Sequence, residues 1–122
     1  MGERDFILPA VGEFMEPSFS IVVPNWNGEA FAGRCISSLL MAARATRLPF
    51  EFIVVDDAST DGAPDTISRT FPRVTLLRND RNLGFGPTVM RGMREARAPL
   101  AILANNDLAA KEDFIARLIA PF

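Results

Sequence analysis

Four short apolar segments alternate with polar loops and amphipathic stretches along most of the chain. The segments SIVVP, FIVV, VTLL and LAIL are continuously apolar rather than alternating, which is typical of strands that are covered on both faces. Between them, apolar residues recur at helical spacing, as at Phe31, Cys35 and Leu39. The pattern predicts a repeating strand–helix order, and therefore a parallel sheet with helices on both faces.

The boundaries of these elements follow from the ends of the apolar runs. We predict strands over residues 18–24, 50–57, 74–78 and 100–104. We predict helices over residues 30–44, 65–71, 88–96 and 111–120. Residues 1–17, which mix charges with isolated apolar residues, are predicted to be a tail or a loosely docked arm. Residues 18–122 then form one α/β unit, a three-layer, Rossmann-like parallel sheet of about four strands.

A polar loop follows each predicted strand. The loops read PNWNG, DDASTDG, NDRNLGFG and NNDL. Because right-handed crossovers place the carboxyl ends of parallel strands on one edge, the four loops should gather there. Each loop alone has a plainer explanation as a turn or a helix cap. Together they bring Asp56, Asp57 and Asp107 to one edge, and crowded carboxylates favour a bound cation.

The composition limits the chemistry of this edge. The 122 residues include no histidine and one cysteine, Cys35, which excludes Ser-His-Asp and Cys-His catalysis and an internal disulfide. A metal would be held by oxygen ligands, which favours magnesium, manganese or calcium. Cys35 lies on an apolar helical stripe and is interpreted as a buried hydrophobe. The net charge of −2 argues against a nucleic-acid partner, and no apolar run is long enough for a transmembrane segment.

Four motifs, in order, resemble those of the family-two glycosyltransferases, which have the GT-A fold. The motifs are SIVVPNWNG, FIVVDDASTDG, NLGFGPTVMRGM and ILANNDL, within residues 18–122. The NLGF and NND elements are most similar to the rhamnosyltransferase-like branch. The resemblance implies the amino-terminal, nucleotide-diphospho-sugar-binding half of a GT-A domain, with the acceptor half absent, as in a truncated protein or a gene fragment.

The resemblance also implies a nucleotide pocket at the loop-bearing edge. Asp57 would hydrogen-bond the base or the ribose of the donor, with Asp56 supporting it. The residues expected to form the nucleotide site are Pro24, Asn25, Trp26, Asp56, Asp57, Gly84, Asn105 and Asn106. The implied ligands are a nucleotide-diphospho-sugar donor and a saccharide or lipid-linked acceptor.

The NND segment stands where the family has its Asp-x-Asp motif. Asp107 would ligate a magnesium or manganese ion that bridges the two phosphates of the donor, whereas Asn105 replaces the commoner Asp and adds no charge. No catalytic base is identified, because Lys111, Glu112 and Asp113 begin the last predicted helix, where first-turn charges have a structural explanation. The chain is therefore expected to bind a donor without efficient transfer.

Other functions stay open at this point. A non-catalytic nucleotide-binding module has the same loops. A phospho-receiver domain also has an acidic pair after a strand, but it needs five strand–helix units and a lysine after the last strand. A dinucleotide-binding fold would need G-x-G-x-x-G, and Val89 stands where the third glycine belongs. We expect a cytoplasmic location, which includes the inner membrane surface. We also expect a homodimer that forms through an uncovered apolar surface.

Overall fold

A computed structural model describes residues 16–122 of the chain. Within this range the strands are β1 Phe19–Asn25, β2 Phe50–Asp56, β3 Thr75–Arg78 and β4 Leu100–Leu103. The helices are α1 Ala32–Ala45, α2 Ala63–Thr70, α3 Phe85–Glu95 and α4 Phe114–Ile119. Strand and helix alternate throughout, as predicted. Most of the predicted tail, residues 1–15, lies outside the described residues.

The strands form a single parallel sheet in the order β3-β2-β1-β4. In the central strand β1, Phe19 pairs with Phe50 of β2 and with Leu100 of β4. Asn25, at the carboxyl end of β1, pairs with Asp56 at the carboxyl end of β2. The predicted fold class is therefore confirmed. This order places the loop after β1 between the loops that follow β2 and β4.

Helices cover both faces of the central strands β1 and β2, whereas β3 and β4 are only partly covered, so the prediction that the strands are covered on both faces holds for the central pair alone. On one face, β1 and β2 pack against α1, α2 and α4, and the rings of Phe19 and Phe50 stack with centroids 5.6 Å apart. On the other face α3 packs closely, since a Cβ on Gly92 would collide with Val22 and lie 3.1 Å from Val55 Cγ2. The absence of a side chain at Gly92 is thus what lets this helix approach β1 and β2.

All four helices begin two or three residues from their predicted starts, and contacts outside the helices account for two of these differences. The helix predicted from Thr88 begins at Phe85, because the preceding N–H groups of Leu83 and Gly84 are fixed by the Asp57 carboxylate. The last helix, predicted from residue 111, begins at Phe114 after a turn that joins its N–H to the carbonyl of Lys111. The two differences have a common cause, since loop contacts rather than helical periodicity set both starts.

None of the helices between residues 16 and 122 combines the length and apolar character needed to cross a membrane.

Candidate functional site

A cleft of about 680 Å³ opens where the loops after the strands meet. It is lined by Pro24, Asn25, Trp26, Asp57, Ala58, Thr60, Asn82, Gly84, Phe85, Thr88, Asn105, Asn106 and Asp107. Every predicted site residue except Asp56 is in this lining. The prediction that these loops gather at one edge therefore agrees with the structure, while contacts with a nucleotide stay a prediction.

Asp56 lies beneath the cleft and orders the loop after β2. Its side chain is fully buried, and its carboxylate accepts hydrogen bonds from the backbone N–H of Ser59 at 2.9 Å, the Ser59 hydroxyl at 2.6 Å and the Asn25 amide at 2.9 Å. The Arg78 Nε atom is 3.9 Å away. Asp56 thus orders the loop from below through Asn25 and Ser59, and the support of Asp57 that the family resemblance implies stays a prediction.

Asp57 joins the loop after β2 to the start of α3. Its carboxylate accepts the N–H groups of Leu83 at 2.7 Å and Gly84 at 2.9 Å, and the Asn79 amide at 2.9 Å. Burial acts to raise the pKa of Asp57, but these hydrogen bonds to the ionised form outweigh it and hold the pKa below its ordinary value. Gly84 has a φ of 95°, a conformation that a residue with a side chain rarely adopts.

A second set of hydrogen bonds fixes the junction between Asp57 and the start of α3. Asn79 is buried and its amide also donates to the Thr88 hydroxyl at 3.0 Å. The Arg91 guanidinium donates to the Asn79 oxygen at 2.9 Å and to the Arg78 carbonyl at 2.7 Å. The first turn of α3 is therefore anchored to the end of β3 as well as to Asp57.

The loops after β1 and β2 are fastened to each other around Trp26. The Asn27 N–H donates to the Ser59 hydroxyl at 2.8 Å, and the Asn27 side-chain oxygen accepts the Thr60 N–H at 2.8 Å. Trp26 itself remains 56% exposed at the cleft. Asn27 has a φ of 51°, which asparagine tolerates better than most residues. The arrangement presents a broad aromatic face from a fixed backbone.

The NND loop after β4 contributes the exposed carboxylate of the site. Asn106 donates to the Asn25 side-chain oxygen at 2.8 Å, while Asn105 and Asp107 are exposed. Beneath this loop the Cys35 thiol donates to the Asn105 carbonyl at 3.3 Å. Burial raises the pKa of Cys35 to about 11, and the charge of Asp107 adds to the rise. Cys35 is therefore a buried structural residue, as interpreted from the sequence, and not a nucleophile at neutral pH.

The protein oxygens around Asp107 are too few to hold a cation by themselves. Among the described residues, no three Asp, Glu, Cys or His side chains form a group that would hold a metal. Asp107 offers one carboxylate, flanked by the amides of Asn105 and Asn106. Hard divalent cations take about six oxygen ligands. The residues therefore fit a cation that receives most of its oxygens from water or from a bound phosphate compound.

Sequence reasoning missed part of the lining. Ala58, Thr60, Asn82, Phe85 and Thr88 were not named as site residues, although they line the cleft. The first four belong to the polar loops or their immediate ends, so membership of those loops was an available signal. Thr88 was assigned to a helix, and helical periodicity does not indicate that this residue lines the cleft.

Residues 20–122 match the family model described as glycosyl transferase family 2. The chain is 28% identical over 104 residues to the undecaprenyl-phosphate 4-deoxy-4-formamido-L-arabinose transferase of Pseudomonas paraeruginosa. That match covers 82% of this chain and 31% of the relative. The chain thus spans about a third of the length of this relative.

Two solved structures share the fold. S. aureus TarS, in complex with UDP, superimposes with a TM-score of 0.71 at 23% identity over 84% of this chain and 31% of that one. The mannosyltransferase PcManGT of Pyrobaculum calidifontis, in complex with GDP-Man and Mn²⁺, gives a TM-score of 0.70 at 23% identity, with the same coverage of 84% and 31%. These likenesses establish that the sheet and its helices follow an arrangement found in both proteins.

Proposed function

The chain belongs to glycosyl transferase family 2, and from that premise we propose that its cleft binds a nucleotide-diphospho-sugar whose sugar is destined for an acceptor hydroxyl. One observation carries the proposal. Trp26 and Asp107 face the same cleft from loops that follow the neighbouring strands β1 and β4. An aromatic face and a single free carboxylate suit the two ends of a nucleoside diphosphate, its base and its metal-bound phosphates.

The nucleobase end of the cleft is formed by the loops after β1 and β2. The exposed Trp26 ring offers a stacking surface, and base–aromatic stacking contributes about 1–3 kcal/mol per base. Both Asp57 oxygens already accept protein N–H groups, yet a carboxylate has about four acceptor sites and can accept one donor more. TarS and PcManGT, which share the fold, were solved with UDP and GDP-Man, and this supports a nucleotide ligand.

Asp107, with magnesium or manganese, forms the phosphate end in this proposal. The bound cation would stabilise the negative charge that develops on the leaving diphosphate. Asp107 would hold it as the anionic protein ligand, whereas Asn105 offers only a neutral amide. The Mn²⁺ in the PcManGT complex supports a divalent cation in this fold.

The residues that line the cleft provide binding groups but no obvious base. Within residues 16–122, Asp57 and Asp107 are the ionisable side chains in the lining, and both are assigned to the nucleotide or its cation. Deprotonation of an acceptor hydroxyl needs a base within hydrogen-bond reach. We therefore propose that this chain binds the donor without efficient transfer of the sugar.

The acceptor and the assembly state are further parts of the proposal. The transferase of P. paraeruginosa carries undecaprenyl-phosphate in its name, which supports a lipid-linked acceptor over a free saccharide and a location at the inner membrane surface. The NLGF and NND motifs support the rhamnosyltransferase-like branch. Leu103 of the edge strand β4 is 42% exposed, which supports self-association through this edge.

Calorimetry with UDP, GDP and dTDP, each with and without Mn²⁺, tests the donor proposal. We expect one of the three to bind, and to bind more tightly when Mn²⁺ is present. Binding by none of them at millimolar concentration would overturn the proposal.

A further inference from the structure

Positive charge is concentrated in one part of this acidic chain. Residues 66–97 contain seven arginines and only two acidic residues, Asp80 and Glu95, whereas the whole chain has a net charge of −2. This segment includes β3, which is an edge strand of the sheet, and α3, which follows it. The charge of the molecule is therefore unevenly distributed, with a basic region around β3 and α3.

Three of these arginines line a depression beside the cleft. The depression has a volume of about 510 Å³ and is lined by Arg78, Asn79, Asp80, Arg81, Leu83 and Arg91. Arg91 is fixed there, because its guanidinium donates to the Arg78 carbonyl at 2.7 Å and to the Asn79 oxygen at 2.9 Å. Arg81 is exposed, and the Arg78 side chain is 52% exposed. The depression thus presents guanidinium groups to the solvent.

The outward face of α3 continues this surface. Met90 and Arg91 lie four and three positions before Arg94, so the three side chains are neighbours on one side of the helix. The residues that α3 buries are Thr88, Val89 and Gly92. Arg94 is exposed, and the apolar side chains of Met90 and Leu83 are 51% and 41% exposed. The six residues Arg78, Arg81, Leu83, Met90, Arg91 and Arg94 are here called the α3 basic surface.

Arginines mixed with exposed apolar side chains suit the surface of an anionic bilayer. Guanidinium groups bind phosphate through paired hydrogen bonds, and their aliphatic stems can lie along apolar material while the charge stays in water. Leucine and methionine gain free energy when they enter the boundary between headgroups and acyl chains. A nucleic acid also offers phosphates, but it has no apolar layer to receive Leu83 and Met90. The composition of the surface therefore favours a bilayer over a nucleic acid.

We propose that the α3 basic surface binds an anionic lipid bilayer, with its four arginines at the lipid phosphates and its two apolar side chains below them. The inference rests on the proposed location at a membrane surface, and not on the proposed donor. Phe85, two residues after Leu83, lines the cleft. A bilayer bound in this way would lie beside the mouth of the cleft, where an acceptor carried by a membrane lipid could reach it.

Vesicle flotation with the 122-residue chain tests the surface. Vesicles of phosphatidylcholine alone are compared with vesicles of equal parts phosphatidylcholine and phosphatidylglycerol. We expect binding to the anionic vesicles to be at least about tenfold tighter, because several arginines contribute to it. Added salt should weaken this binding, since it screens exposed charges.

Two pairs of matched variants locate the contact. Arg81→Gln and Arg94→Gln should each weaken binding to the anionic vesicles about fivefold, the effect of one basic residue near such a membrane. Arg34→Gln makes the same change of charge at an exposed residue of α1, across the sheet from α3, and should weaken binding by less than about twofold. Met90→Gln should weaken binding about threefold through lost insertion, whereas Met41→Gln, also on α1, should not.

Each result bears on the membrane surface separately from the donor. Equal binding to the two kinds of vesicle, or to neither, would overturn the proposal, as would equal losses in Arg34→Gln and Arg81→Gln. Binding of poly(U) RNA that falls in the arginine variants, with no effect of Met90→Gln on vesicles, would show a nucleic-acid surface instead and would also overturn it. Arg81 and Arg94 lie outside the cleft lining, so their variants should bind nucleoside diphosphates like the unmodified chain. Vesicle binding without nucleotide binding would therefore reject the donor proposal and support this one.

Discussion

The Asp57 carboxylate, one residue beyond β2, accepts the backbone N–H of Gly84 at 2.9 Å, one residue before α3. The same carboxylate accepts the N–H of Leu83. An acidic side chain just beyond the end of β2 therefore fixes the residue at which α3 begins. The contact makes the loop after β3 part of the cleft, since Gly84 and Phe85 both line it.

Asp57→Asn should lower the free energy of unfolding at pH 7 by about 2 kcal/mol, the scale of hydrogen bonds to a charged group. The folded-state pKa of Asp57 lies below its ordinary value of 3.8, so its stabilisation is present above that value and is lost as the pH falls through the folded pKa. Urea denaturation from pH 7 to pH 3 should therefore show the difference between the two proteins narrowing below about pH 5.

The control for this prediction is Asp80→Asn, because Asp80 is exposed in the loop after β3. It should change the free energy of unfolding by less than about 0.5 kcal/mol. A difference between Asp57→Asn and the unmodified chain that is constant across the pH range would show that the charge of Asp57 is not what stabilises the loop.

Trp26→Ala should weaken nucleoside diphosphate binding about tenfold through lost stacking. Trp26 is the sole tryptophan of the sequence, so its fluorescence in the unmodified chain should change on binding and give the affinity directly, with calorimetry serving for the variant. Met41→Ala removes a side chain of similar exposure, 59%, from α1, outside the cleft lining. It should bind like the unmodified chain, and an equal loss in both variants would count against stacking on Trp26.

Asp107→Asn should abolish the gain in nucleotide affinity that Mn²⁺ provides, because a hard cation prefers an anionic oxygen. Asn105→Ala should reduce that gain by a smaller factor, since it removes a neutral amide. Calorimetry with and without Mn²⁺ measures both effects. Equal losses in the two variants would mean that the charge of Asp107 is not the feature that holds the cation.

Gly92→Ala should lower the free energy of unfolding by about 1–3 kcal/mol through overpacking against β1 and β2. The colliding atoms belong to Val22 and Val55, which are both fully buried. Gly86→Ala in the same helix is the matched control, because nothing lies within 4 Å of its Cβ position; it should be neutral or stabilise by up to about 1 kcal/mol. Equal effects in urea denaturation would contradict close packing at Gly92.

The 122-residue chain should not transfer sugar from labelled UDP-, GDP- or dTDP-sugars to saccharide or lipid acceptors. The reason is that no free base lines the cleft among the described residues, so slow hydrolysis by water is the most that we expect. The assay follows labelled product over a broad acceptor set with Mn²⁺. Robust, metal-dependent transfer would contradict the expectation, and Glu112→Gln and Asp113→Asn would then be assayed to find the base.

The central strands were predictable because their continuous apolar runs indicate burial on both faces, whereas β3 and β4, which carry similar runs, are partly exposed because they lie at the edges of the sheet. Val22, Ile53 and Val55 are almost or fully buried, and the continuous apolar segments anticipated this. The gathering of the loops was also predictable, because the handedness of crossovers is nearly invariant. The family motifs added the roles of Trp26 and Asp107, which no periodicity contains.

The hydrogen bonds that connect the loops of the site could not be predicted from the sequence. The start of α3 depends on Asp57, which is distant along the chain, and helical periodicity contains no information about such a bond. Asp56 and Asp57 are adjacent and chemically identical, yet one is turned beneath the cleft and the other towards α3. Their different partners follow from the alternation of side chains about a strand end and from loop packing, which a linear pattern does not specify.

The hydrogen bonds that join Asn25 to Asp56 and to Asn106 span 31 and 81 positions of the chain. Closing loops of this length costs conformational entropy, which the pairing of the strands at their ends offsets. No part of the cleft then exists in a chain that has folded only locally. A ligand of the cleft binds the native state alone and raises its stability by mass action. A higher ligand concentration therefore stabilises the whole sheet, from β1 through β4, against unfolding, and not the loops alone.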